Sequence, residues 1–107
     1  MVITEIQAGV CGFRTTVKGG SDDMQNITVE IESTCDKIKA LAADIRTVDA
    51  YAEIGAGSEG IVLTAARARL RGCCAGCVVP SGIFKTVQVA GGVALPAVSS
   101  IDIRKTE

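Results

Sequence analysis

The sequence predicts an α+β fold: a small antiparallel sheet, made of N-terminal hairpin strands plus a C-terminal strand, with about three helices packed on one face. Two observations predict it. Apolar and polar residues alternate near both ends of the chain, and apolar residues recur at helical spacing in between. At 107 residues and 48% apolar composition, we expect one domain, residues 1–107, with its own core.

Four stretches are predicted to be strands. Residues 2–7 and 11–18 come first, and residues 27–32 (ITVEIE) place Ile and Val on one face and Thr and Glu on the other. A polar, Gly-rich loop separates the second stretch from the third, so we expect a hairpin with one face in water. Residues 99–105 (SSIDIRK) alternate again and predict the last strand.

Three helices are predicted between these strands. Ser33, followed three residues later by Asp36, is typical of a capping box, and the apolar spacing continues to Val48. This places Cys35 at the second position of the first helix. The second helix is predicted over residues 58–71. The third begins at Pro80, a residue favoured in a first helical turn, and ends before a Gly-Gly pair.

The composition argues against several classes of function. The net charge is −1, with eleven basic and twelve acidic residues, so no basic field attracts nucleic acid. The chain has no histidine, and no carboxylate pair is predicted to converge on a cleft, so we expect it not to be an enzyme. The apolar run after residue 86 is too broken to span a bilayer, and the first residues do not read as a signal peptide. We therefore expect a cytoplasmic protein without a membrane partner; the oligomeric state stays open.

The five cysteines are the residues most able to carry chemistry. Cys74 and Cys77 form a Cys-x-x-Cys pair among glycines, the commonest half-site for zinc or an iron–sulfur cluster. Cys35 near a helix start gains from the exposed N–H groups there, which stabilise anions. Cys11 is followed by Gly12, which leaves room near the backbone. In a reducing cytosol these are thiols or ligands rather than disulfides.

Three functions fit this pattern. In the first, Cys11, Cys35, Cys74 and Cys77 bind zinc or an iron–sulfur cluster; the choice of metal stays open, as does the choice of Cys73 instead of Cys74. In the second, Cys35 or Cys77 is the thiolate of a sulfur (persulfide) carrier. In the third, the chain is a non-catalytic interaction module in which the cysteines are buried and only pack.

The segments CGFRTTVK, ITVEIESTCDKIKALAADI and CVVPSGIFKTVQVA resemble, in order and spacing, those of the U-type iron–sulfur cluster scaffolds, the NifU N-terminal or IscU-like family. The resemblance implies the same α+β fold, a scaffold or carrier role, and iron–sulfur or sulfur-transfer proteins as partners. It implies Cys11, Cys35 and Cys77 as ligands. Phe13 stands where those scaffolds have Asp, and Gly76 where they have His, so an added thiolate, Cys74 or Cys73, would complete the set.

A second likeness is to a small family of uncharacterised prokaryotic Cys-rich proteins of about this length. The shared elements are CGF, S-x-C and C-x-VP-SGI, which contain Cys11, Cys35 and Cys77 in this chain. This likeness bears on the fold and implies no activity.

Overall fold

A computed structural model describes residues 1–106; Glu107, the last residue of the predicted domain, lies outside the described residues. The described chain forms a four-stranded antiparallel sheet in the order β1-β2-β3-β4, with helices on one face, which confirms the α+β prediction. The elements are β1 (Val2–Gln7), β2 (Arg14–Gly20), β3 (Asn26–Ser33), α1 (Asp36–Ala42), β4 (Thr47–Asp49), α2 (Ala50–Ala56), α3 (Ile61–Arg69) and α4 (Val79–Ala90). Two short 3-10 turns, Gly57–Glu59 and Gly72–Gly76, precede α3 and α4.

Strict alternation builds the sheet. Val17 pairs with Thr4 of β1 on one side and with Ile31 of β3 on the other, so these side chains share the helix-covered face. Val17, Ile27 and Val29 are buried there. The charged and Thr residues between them point to solvent, as predicted for a sheet with one face in water.

Helix α4 is central to the core. Val79, Ile83 and Val87 are almost fully buried, and they recur at the spacing of one helix face. Its buried Thr86 hydroxyl shares hydrogen bonds with the Thr4 hydroxyl (2.6 Å) and the Gly82 carbonyl (2.7 Å), so this polar group is satisfied where helix meets sheet.

The first helix is shorter than predicted. Ser33 does not cap it but ends β3, where it pairs with Thr15 and the two hydroxyls lie 2.8 Å apart. Cys35 is therefore the N-cap residue rather than the second residue of the helix. The helix ends at Ala42, because the chain turns there into β4, which contains Val48.

The predicted C-terminal strand is wrong for the described chain. Residues 99–105 have no secondary structure and are exposed. The fourth strand comes instead from residues in the middle of the chain, Thr47–Asp49, which pair with Asn26–Thr28 of β3. Alternating apolar and polar residues suit a strand, but a strand also forms only where a neighbouring strand accepts and donates its backbone hydrogen bonds. Among residues 1–106 the α-helices number four rather than about three, because α2 follows β4 directly.

One stretch, Gly72–Ala90, is apolar and long enough by composition to cross a membrane. It is not one continuous α-helix, since a 3-10 turn precedes α4. The twelve residues of α4 extend about 18 Å, against about 30 Å of bilayer hydrocarbon. Its apolar face, which carries Val79, Ile83 and Val87, packs in the core.

A buried carboxylate joins α2 to α3, and it yields a stability prediction. Glu53 is 3% exposed, and its two oxygens accept the N–H groups of Ile61 (2.9 Å) and Val62 (2.8 Å), the first residues of α3. We expect Glu53→Ala to lower the free energy of unfolding by about 2 kcal/mol, because two N–H groups lose their partner. Glu53→Gln keeps one acceptor and should lose less. Urea denaturation measures both.

The matched control is Glu59→Ala, since Glu59 is exposed beside the same helix start. Equal losses for Glu59→Ala and Glu53→Ala would contradict this account of the Glu53 carboxylate.

Candidate functional site

The backbone brings three cysteine-bearing segments to one end of the sheet. The start of β2 and the end of β3 are bonded there: the Thr34 N–H donates to the Arg14 carbonyl (3.1 Å), and the Arg14 N–H donates to the Thr34 hydroxyl (3.1 Å). This sets the turn that carries Cys11 beside Cys35. Helix α4 begins at the same end, because its first turns pack on the last residues of β1.

Cys11 lies exposed in the turn between β1 and β2. The Ala8 N–H donates to the Phe13 carbonyl (3.1 Å) across the turn, and the Gly12 N–H donates to the Gly9 carbonyl (2.9 Å) inside it. Gly9 and Gly12 have φ of +89° and +72°, values that favour glycine. The turn therefore projects the Cys11 thiol away from the core.

Cys35 is half-buried at the start of α1. Its N–H donates to the Ser33 hydroxyl (3.1 Å), and its carbonyl accepts the Lys39 N–H (2.9 Å). The thiol itself makes no capping hydrogen bond, so the sulfur is not committed to holding the helix. The adjoining Ser33 hydroxyl is bonded to Thr15, which fixes the backbone just before Cys35.

Cys73 and Cys74 are neighbours in the 3-10 turn Gly72–Gly76, but they differ in exposure. Cys74 is half-buried and packs against the core, whereas Cys73 is exposed. The Lys37 ammonium, on α1, donates to the Cys74 sulfur at 3.4 Å. Cys77 follows the turn, and its N–H donates to the Cys74 carbonyl (3.1 Å), which keeps the two residues of the Cys-x-x-Cys pair together. Lys37 was not singled out from the sequence, although its place two residues after Cys35 was a usable signal.

Electrostatics identify the neighbours of Cys77. Partial burial raises the pKa of the Cys77 thiol, and a hydrogen bond with the Val79 backbone opposes this. Negative charge on Cys11, Cys35 and Cys74 raises the same pKa further. The three thiols predicted from the sequence to share a site with Cys77 thus all lie within electrostatic reach of it. Cys73 does not contribute to this shift.

The four cysteines are chemically suited to bind a soft metal, but their side chains are not spaced as the ligands of a single ion. Four thiolates accept zinc or iron–sulfur clusters. Among residues 1–106, however, no three Cys, Asp or Glu side chains are gathered closely enough to hold a metal ion. The glycines beside the cysteines leave room for the loops to adjust: Gly9, Gly12, Gly72 and Gly76 have open space where a side chain would be.

The Asp22–Asp23 loop is a turn rather than a second site. The Asp23 carboxylate accepts the N–H groups of Gln25 and Asn26, both at 2.9 Å. These bonds hold the pKa of Asp23 far below its usual value. The carboxylate is therefore engaged in closing the loop between β2 and β3.

The fold and the site define an α+β protein with four cysteines grouped at one end of an antiparallel sheet. The chain belongs to DUF6951, a family of unknown function, whose match covers residues 2–103. No curated protein and no solved structure matches the chain. The resemblance to the U-type scaffolds stays a prediction.

The raised pKa of Cys77 predicts a pH effect on the metal-free protein. A thiol whose pKa is higher in the folded than in the unfolded chain stabilises the fold at pH values below the ordinary thiol pKa, about 8.5. That stabilisation is lost as the pH rises through the raised value. We therefore expect the urea midpoint of wild-type protein to fall above about pH 8.5 more steeply than that of Cys77→Ser.

Cys73→Ser is the matched control and should retain the wild-type pH dependence. If Cys77→Ser and wild-type protein keep parallel midpoints from pH 7 to pH 10, the burial and charge environment assigned to Cys77 is wrong.

Proposed function

We propose that this protein binds an iron–sulfur cluster or a zinc ion through Cys11, Cys35, Cys74 and Cys77. One observation supports the proposal: Cys11, Cys35 and Cys74 all lie within electrostatic reach of Cys77, although three separate segments carry the four residues. Such ligands, distant in sequence and close in space, are typical of thiolate metal sites. We propose a binding rather than a catalytic role, because thiolates are ligands for soft metals.

Cys74 is the better candidate for the fourth ligand. It packs against the core beside Cys77, and it lies within electrostatic reach of that thiol. The exposed Cys73 does neither. Lys37 adds a positive charge at the Cys74 sulfur, which would offset part of the charge of four thiolates.

The spacing favours a cluster over a single ion. Sulfurs around one tetrahedral zinc lie about 3.8 Å apart, given Zn–S bonds of about 2.3 Å, and no three ligands among residues 1–106 are gathered this way. In a cluster the thiolates bind different iron atoms, so their sulfurs stand farther apart. Thiols that are neighbours without touching need less rearrangement to hold a cluster.

The exposure of the cysteines supports a carrier or scaffold role in iron–sulfur or sulfur metabolism. Cys11 is exposed on a glycine-flanked turn, so a partner protein can reach one ligand directly. The resemblance to the U-type scaffolds gives the class of partner, iron–sulfur or sulfur-transfer proteins. We propose the cytoplasm, where thiols stay reduced, as the compartment.

Two alternatives are less well supported. A module with buried, purely packing cysteines is disfavoured because none of the five is fully buried. A persulfide carrier using Cys77 is disfavoured because its raised pKa reduces the thiolate available at neutral pH. A persulfide on Cys35 remains the stronger form of that alternative.

Anaerobic purification, or reconstitution with iron and sulfide, tests the proposal. We expect visible absorption from an iron–sulfur cluster, with iron and sulfide in stoichiometric ratio to protein. The serine variants of Cys11, Cys35, Cys74 and Cys77 should each lose most of the bound iron, because each removes a thiolate. Zinc loading of the same variants tests the single-ion form.

Cys73→Ser is the matched control, next to Cys74 in the same turn, and should bind as wild-type protein does. Wild-type protein that takes up neither iron nor zinc, or loss of binding in Cys73→Ser equal to that in Cys74→Ser, would overturn the proposed ligand set.

The metal should not be needed for folding. The buried core is built from Ile, Val, Leu and Ala, and it includes no cysteine. We expect the far-ultraviolet circular dichroism of chelated protein to match that of loaded protein, with a lower melting temperature. Unfolding on chelation would mean that the cysteines hold the fold together, as in zinc fingers.

A further inference from the structure

The C-terminal segment, residues 94–106, leaves the fold unattached. In the part of the chain that the structure describes, no hydrogen bond joins it to earlier residues, and its one internal bond is between Arg104 and Asp102. The molecule measures 49 × 26 × 24 Å, although its radius of gyration, 13.6 Å, is close to the ~13 Å of a compact domain, so most of the chain is compact and it extends in one direction.

This segment carries apolar side chains that a free tail would not need. Ile101 and Ile103 are 72% and 88% exposed, and Leu95 and Val98 are more than four-fifths exposed. Ile101 and Ile103 alternate with Asp102 and Arg104, the pattern of a strand with one apolar and one charged face. Exposed apolar groups of this density mark an interaction surface.

Strand β1 offers a matching edge. It is the first strand in the order β1-β2-β3-β4, so the backbone groups on its outer side have no strand partner. Its helix-side residues Val2, Thr4 and Ile6 are only half-buried, because α4 covers them from one direction. The edge is six residues long, whereas the opposite edge strand, β4, has three.

Residues 99–105 are complementary to strand β1, because successive side chains point to opposite faces of a sheet. If Ile101 and Ile103 continue the helix-side face of β1, Arg104 must fall on the outer face, which carries Glu5. Parallel and antiparallel registers both exist in which Arg104 lies opposite Glu5. The added strand would then cover the half-buried edge of the core and place opposite charges side by side.

We propose that residues 99–105 pair with strand β1 of a second copy of this chain, so that two copies exchange C-terminal strands in a symmetric dimer. A second copy is the favoured occupant because the segment stands clear of its own β1, and reciprocal exchange closes both edges at once. Gly92, with φ of +74°, lies between α4 and the segment and turns the chain out of the helix. This inference is independent of the proposed metal site.

Charge exchange between Glu5 and Arg104 tests the pairing. Size-exclusion chromatography with light scattering should show a dimer for the full chain, in reductant and chelator so that neither disulfides nor metal link the copies. Glu5→Arg and Arg104→Glu should each weaken dimerisation at least about tenfold, because like charges then face each other twice per dimer. Mixing these two variants should restore a dimer, since each interface then pairs opposite charges.

Two tail variants complete the test. Ile103→Asp should give a monomer, whereas Leu95→Asp, outside the paired residues, should remain a dimer. A monomeric wild-type chain, a dimer indifferent to the charge variants, or a mixture that stays monomeric would each overturn the proposal; the first is the result expected if the segment pairs with its own β1. Circular dichroism of each variant checks that the charge changes leave the fold intact.

Discussion

The close approach of α4 to strands β1 and β2 is the constraint on which the other features depend. At Gly82 the side chain of Ile6 occupies the space that a Cβ would need, and at Gly19 the Thr86 methyl group lies 3.0 Å from that position. Larger residues there would push the helix off the sheet. Because α4 is held this tightly, Cys77 at its entry is fixed relative to the turn that carries Cys11.

The sequence predictions of α4 and β3 succeeded because local patterns determine both elements. Helix α4 was predicted within a residue of its observed start, since Pro80 marks the first turn and apolar spacing defines the buried face. Strand β3 was predicted because its alternation is uninterrupted and its partner is adjacent in sequence. The choice of Cys11, Cys35, Cys74 and Cys77 from the sequence rested on the helix starts and glycines around them, and it stays a prediction.

The failures have a common physical cause. Val48 satisfies the apolar spacing of a helix that continues from Ile38, and it equally satisfies a short strand; only pairing with Ile27 decides between the two. Residues 99–105 fail for the same reason: their alternation is clear, but the described structure gives them no strand partner within the chain. The difference between Cys73 and Cys74 depends on the 3-10 turn, whose rotation one-dimensional spacing does not reveal.

The buried carboxylate between α2 and α3 has a consequence for how this family can diverge. A Cβ at Gly60 would lie 2.7 Å from a Glu53 oxygen, so any other residue at this cap position requires the Glu53 side chain to move away from the α3 N–H groups. A Ser or Asp at position 60 would be a conventional cap, and it would have to replace the two bonds that Glu53 makes to the start of α3. The two positions are therefore coupled, and the loss of stability expected for a substitution at one depends on the residue at the other.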